Sequence, residues 1–256
     1  MKRALLRLLD PVLQSAGAER ATSALVRLWT SGVSRLPPEE GLRRLLRLDD
    51  HLHERIDGLA MDLDGGVHAK HRLTGYHDFF LAHVRPGDRV LDVGCGKGEL
   101  AHDLASRGGA AVTGIDVSQP SLQFGRARFP DVEFVEADVL LWQPPHDYDV
   151  VVLSNVLEHI GPRVELLRRL RESVRPRRFL LRVPSEERDW LVPLRKELGL
   201  PHFSDPTHET EYTVDQLRSE LREAHLAAEE LLQRWGELWV VARPEETAEP
   251  EAILGR

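Results

Sequence analysis

The chain has 256 residues, 41% of them hydrophobic, which is enough to bury a core in one main domain with a helical accessory and excludes a disordered protein. Lys and Arg number 34 against 42 Asp and Glu, a formal charge of −8 that speaks against nonspecific nucleic-acid binding. The longest apolar runs fall far short of the roughly 20 residues a bilayer-spanning helix needs. The basic start meets Asp10 and Pro11 without a small-residue cleavage site, and the single cysteine, Cys95, cannot form an internal disulfide. Together these features point to a cytoplasmic protein with no transmembrane segment.

From residue 2 to about residue 59, apolar residues recur at helical spacing (Leu5, Leu6, Leu8, Leu9; Leu25, Leu28; Leu42, Leu45, Leu46), with an interruption near 31–38. Leucine-rich helices of this kind could support a dimer, but no pattern fixes the oligomeric state. Asp64-Gly65-Gly66 reads as a hinge, and 68–84 as a further helix before the turn Arg85-Pro86-Gly87-Asp88. The expected organisation is a helical cap region over 1–75, a main domain over 76–243 and a flexible tail over 244–256.

Beyond that turn, β-rich segments (89–93, 111–116, 132–136, 148–153 and 178–183) alternate with helical ones, the signature of a parallel sheet in an α/β fold. The pair 227–233 and 237–243, joined tightly through Trp235-Gly236, leaves no room for a helical crossover and predicts an antiparallel hairpin. The fold class is a Rossmann-like, doubly wound, mostly parallel seven-stranded sheet with that hairpin at its C-terminal end.

Val90-Leu91-Asp92-Val93-Gly94-Cys95-Gly96-Lys97-Gly98-Glu99-Leu100 is an apolar strand running into a glycine-rich turn and then a helix. In open α/β sheets ligands sit outside the carboxyl ends of the strands, where this turn lies. The second strand ends Gly114-Ile115-Asp116, which places a carboxylate where a ribose would present its hydroxyls. The spacing Gly94-x-Gly96-x-Gly98 is tighter than G-x-G-x-x-G, and a pyrophosphate would meet Glu99 in the helix's first turn. S-adenosylmethionine carries two cationic groups and no phosphate, so a loop containing Asp92 suits it better than it suits a nicotinamide cofactor, the runner-up.

Through that motif and later ones the chain resembles the class I S-adenosylmethionine-dependent methyltransferases, particularly their small-molecule branch, over roughly 87–243. The resemblance implies that Gly94, Cys95 and Gly96 line the methionine part of the cofactor, that Asp116 binds the ribose hydroxyls and that Val117 flanks the adenine. It further implies that Asp138 accepts from the adenine amine, that Val139 offers its backbone, and that Asn155 faces the cofactor from the end of the fourth strand. Taken by itself, Asp138 reads as a helix cap rather than a ligand residue.

Methyl transfer requires alignment of acceptor and sulfonium, and a proton acceptor when the nucleophile is a hydroxyl. Asn155-Val156-Leu157-Glu158-His159 places His159 just beyond the fourth strand as a candidate general base, with His208 as a second catalytic candidate from the long 184–212 segment that follows the fifth strand. The same residues resemble the motif of metal-dependent ubiquinone-pathway and small-RNA methyltransferases, Glu-x-x-Glu-His with a later histidine, but Asn155 stands at the first glutamate, so metal involvement stays open. The group His68, Lys70, His71, Arg72 and Tyr76 reads as polar helix surface, with Arg72 able to pair with the cofactor carboxylate. The expected function is methyl transfer to an O or N atom of a small-molecule acceptor. The alternatives are a metal-assisted RNA 2′-O-methyltransferase, suggested by the His208 motif and the arginines of 163–178, and a non-catalytic cofactor-binding partner subunit.

Overall fold

The computed structural model describes residues 18–245, and its backbone divides into two compact units. The helical reading of residues 2–17 and the tail reading beyond 245 lie outside the described residues. One unit runs to Ala69 and takes in Leu198–Leu200, and the other comprises Lys70–Glu197 and the chain from Pro201.

The first unit is built on α1 (Ala18–Val33) and α2 (Pro38–Leu63). Pro38 opens α2, where its missing N–H costs nothing. Gly41 is buried, and a Cβ there would stand 3.4 Å from Val33 Cγ1, so its small size lets the two helices approach. The α2 helix stops at Gly65 and Gly66, both at positive φ, with Gly66 N–H donating to the Met61 carbonyl. Leu45, Leu48, Leu52, Ile56, Leu59 and Leu63 form an exposed apolar stripe along α2.

The second unit begins with α3 (Lys70–Thr74) and α4 (Tyr76–Ala82). The sequence predicts one helix across this stretch, but Gly75 takes φ 67° and breaks it in two. Strands and helices then alternate: β1 (Arg89–Val93), α5 (Glu99–Ser106), β2 (Ala111–Asp116), α6 (Gln119–Arg128), β3 (Val132–Glu136), β4 (Val150–Ser154), α7 (Arg163–Val174) and β5 (Arg178–Pro184). After α8 (Leu191–Glu197) and α9 (Val214–Glu223) come β6 (Leu226–Arg234) and β7 (Glu237–Pro244). The α8 helix starts at Leu191, whose amide donates to the Asp189 side chain.

The seven strands form one sheet in the order β3-β2-β1-β4-β5-β7-β6, parallel from β3 to β5 and antiparallel through the β6–β7 hairpin. Because helices cover both faces, the central strands are mostly apolar, with Asp92 and Arg182 as buried exceptions. Leu91 and Val93 of β1 face a core shared with α7 and α9, while Val90 faces the opposite core with Phe80 of α4 and Leu104 of α5. Strand order reverses between β1 and β4, so the carboxyl ends of β1, β2 and β4 open onto the crevice where such sheets bind ligands.

Candidate active site

The loop after β1 is shaped by glycine. Gly94 takes φ 65°, and a Cβ there would stand 2.5 Å from Val156 Cγ2; at Gly98 it would stand 2.4 Å from Phe134 Cζ. A side chain at either position needs both a disfavoured backbone angle and space already filled. Gly96 N–H donates to Asp116 Oδ2 at 2.8 Å, and Ser118 N–H to Asp116 Oδ1 at 2.7 Å, so one carboxylate ties the loop to the end of β2. A carboxylate offers about four lone-pair sites, which leaves Asp116 capacity for two ligand hydroxyls.

Asp92 lies beneath this loop, 2% exposed, and its carboxyl is pushed up to about 8 by burial and, secondarily, by the Asp116 charge. The Cys95 side chain turns away from the crevice: a Cβ on Gly114 would lie 2.8 Å from its Sγ, and burial raises the thiol far above its ordinary value. Only the backbone of Cys95 can face a ligand. Val117 is 69% exposed at the rim, where a flat ring could lie on it. Asp138 is exposed and its Oδ1 accepts from Leu140 N–H at 2.8 Å, a turn rather than a helix cap. The Val139 side chain is buried in the core, and its carbonyl accepts from Arg169. Arg72 sits exposed in α3.

Beyond β4 the chain turns sharply. Asn155 adopts φ 57°, with its N–H donating to the Arg182 carbonyl at 2.8 Å, and a short 3-10 turn, Leu157–His159, follows. Glu158 is fully buried, and its carboxyl is raised to about 8 chiefly by burial. Among the described residues, both Glu158 carboxyl oxygens and Asn155 Oδ1 are buried without a hydrogen-bond partner. The 202–212 segment crosses over this turn, with the amides of Glu209 and Thr210 donating to the Glu158 carbonyl at 2.8 and 3.3 Å. It brings the His208 ring edge-on to His159, with centroids 4.7 Å apart. Ligand atoms of Glu158, His159 and His208 all lie within 4.8 Å of one another. The structure thus brings together His159 and His208, 49 residues apart in sequence, beside Glu158.

The α3–α4 group is more than helix surface. Tyr76 and His77 are buried, and the Tyr76 hydroxyl lies 2.8 Å from His71 Nδ1. His71 Nδ1 lies 3.1 Å from His77 Nε2, and His77 Nδ1 lies 2.8 Å from Asp103 Oδ2. Burial lowers the His77 pKa below its ordinary value despite Asp103. Arg182, 3% exposed, stands 3.8 Å from the Tyr76 ring centroid and pairs two-pronged with Glu237 at 2.6 and 2.5 Å. Sequence reasoning does not find Arg182, His77 or Glu211, because each owes its position to a partner far along the chain.

Comparisons with known proteins bear on the fold and the family. Residues 90–177 match the family described as Methyltransferase domain. The ubiquinone biosynthesis O-methyltransferase of Neisseria meningitidis is 37% identical over 97 residues, 35% of this chain and 41% of that protein. The trans-aconitate 2-methyltransferase of Paracidovorax citrulli is 41% identical over 90 residues, 34% of this chain and 35% of that protein. The chain thus spans less than two thirds of the length of these relatives. Among solved structures, magnesium protoporphyrin IX methyltransferase from Synechocystis with bound SAH superposes with TM-score 0.56 at 20% identity, covering 70% of this chain and 85% of that one. The small RNA methyltransferase HEN1 gives TM-score 0.57 at 18% identity, covering 68% of this chain and 25% of that one. Over residues 90–177 the chain is thus similar to methyltransferase domains, and its fold is that of the solved methyltransferase structures.

Proposed function

We propose that the protein transfers a methyl group from S-adenosylmethionine to an O or N atom of a small-molecule acceptor. The observation that carries this reading is the Asp116 carboxylate joined to the Gly96 amide, with His159 and His208 gathered beyond β4 on the same edge of the sheet. In this reading the glycine loop receives the methionine end, Asp92 lies beneath its ammonium, and Asp116 takes the ribose hydroxyls. Val117, Asp138 and Val139 frame the adenine, Asn155 faces the cofactor, and Arg72 pairs with its carboxylate. His159 accepts the acceptor's proton, and the pocket aligns the nucleophile with the sulfonium. Both curated relatives named above are small-molecule methyltransferases by their names.

The orphaned oxygens of Asn155 and Glu158 favour a second component, a divalent cation. Buried acceptors without partners are costly, and two imidazoles beside them complete a donor set that fits such an ion. Glu158, His159 and His208 would hold it, and His159 would then serve as a ligand in place of the general base. The ion would supply Lewis acidity at the acceptor oxygen.

Incubation with labelled S-adenosylmethionine and a panel of phenolic, carboxylate, sugar and amine acceptors tests the proposal. Label appearing in one acceptor class is the expected result, and its absence from all of them favours the non-catalytic partner reading. Metal analysis of dialysed protein and assays in chelator decide whether the cation takes part.

A further inference from the structure

Glu211 lies outside the cofactor loops and is given no part in the chemistry proposed above, yet its side chain is wholly buried. Burying a carboxylate costs several kcal/mol unless its lone pairs are filled. Here they are filled by donors from three directions. Oε1 accepts from Ser204 Oγ at 2.7 Å, from the Ser204 amide, and from His208 Nδ1 at 3.1 Å; Oε2 accepts from Arg188, which also donates to the His202 carbonyl.

These contacts restrict the proton on His208. A carboxylate paired with Arg188 only accepts, so His208 Nδ1 must carry the hydrogen and Nε2 the lone pair. The neighbouring imidazole is restricted by a different route. Thr207 Oγ1 donates its one hydrogen to Asp205 Oδ1 at 2.6 Å, and this bond is the foremost cause that holds the Asp205 carboxyl below its ordinary pKa. The hydroxyl oxygen of Thr207, 3.1 Å from His159 Nδ1, is then left to accept, so His159 also carries its hydrogen on Nδ1.

We infer that Glu211 and Thr207 are positioning residues that fix both imidazoles in the Nδ1–H tautomer, so that the two Nε2 lone pairs and Glu158 converge on one point. The segment 204–211 acts as a tautomer lock, and Arg188 is its anchor. The lock serves either use of the site, since a general base and a cation ligand both need an unprotonated Nε2. It rests on the proposed role of His159 and His208, and it extends that role to residues remote from the cofactor.

Long-range proton–nitrogen NMR of the full chain with labelled histidine tests it, with His159→Gln and His208→Gln spectra assigning the two signals. The parent protein at about pH 8, above the ordinary imidazole pKa, is expected to show both residues as Nδ1–H. Glu211→Gln, whose amide can either donate or accept, is expected to turn His208 alone into a mixture, and Thr207→Val to weaken the preference of His159 alone, whose Nδ1 then keeps only the Thr207 carbonyl at 3.4 Å. The Mn2+ affinity of Glu211→Gln is expected to fall about tenfold or more. A parent spectrum with His208 protonated on Nε2, or a Glu211→Gln variant with unchanged tautomer, overturns the lock. Should Glu211→Gln not fold, the parent spectrum and Thr207→Val still decide. A parent protein that binds S-adenosylhomocysteine but shows the wrong tautomer contradicts the lock alone. One that shows the right tautomer without binding S-adenosylhomocysteine or Mn2+ contradicts the function or the cation reading and leaves the lock standing.

Discussion

The Asp116 carboxylate at the end of β2 accepts the Gly96 amide of the β1 loop at 2.8 Å, so the residue proposed to hold the ribose also holds the loop proposed to receive the methionine. The two halves of the proposed cofactor site are therefore one mechanical unit. Removing this carboxylate acts twice, by deleting a hydrogen-bond acceptor for the ligand and by releasing a backbone amide whose bond contributes about 1.5–3 kcal/mol when the acceptor is charged.

Glycine is required at position 98 by space as well as by backbone angle. Gly98→Ala would place a methyl group against the Phe134 ring, 2.4 Å from Cζ, at φ 86°. The expected destabilisation is about 1–3 kcal/mol, read as a lower melting temperature. Phe134→Leu in the same chain should recover part of the loss, since it removes the ring the methyl group meets.

The buried Asp92 gives stability a definite pH dependence. Its folded-state pKa of about 8 lies above the ordinary carboxylate value, so across the acidic and neutral range the folded chain binds a proton that the unfolded chain has lost. This contribution to stability is full at low pH, falls as pH rises above about 4, and levels off above about 8. Asp92→Asn removes the group. Denaturant melts at several pH values should show the variant gaining on the parent by up to about 1.4 kcal/mol per pH unit in that window; a constant difference would contradict the assignment.

His159 is exposed and belongs to neither buried apolar cluster of the core. His159→Gln should leave folding and cofactor affinity unchanged while lowering turnover about 100-fold or more, the usual scale for losing a general base. Equal turnover in the variant rules out the base role.

The sheet is legible in the sequence because parallel strands buried on both faces read as short apolar runs separated by helical segments. Val150 to Leu153 shows this directly, and the tight Trp235-Gly236 connection dictates the hairpin. The glycine loop is equally plain, since its function depends on local backbone. What stays hidden is set by long-range contact. The reading of 68–84 as one helix misses the break at Gly75, because a single glycine within a helical pattern is usually tolerated. His77 gains its partner from Asp103 on α5, and Arg182 from Glu237 two strands along the chain. Glu211 lies in the long 184–212 segment, but its proposed task depends on Arg188 and Ser204 arriving from either side of α8.

The most direct test of the central claim is calorimetric titration of the protein with S-adenosylhomocysteine and, separately, with NAD, repeated on Asp116→Ala. The structure predicts selective binding of S-adenosylhomocysteine that weakens about tenfold to a hundredfold in the variant, equivalent to about 1.4–2.8 kcal/mol. Preference for NAD, absence of binding to either ligand, or equal affinity in Asp116→Ala would contradict it.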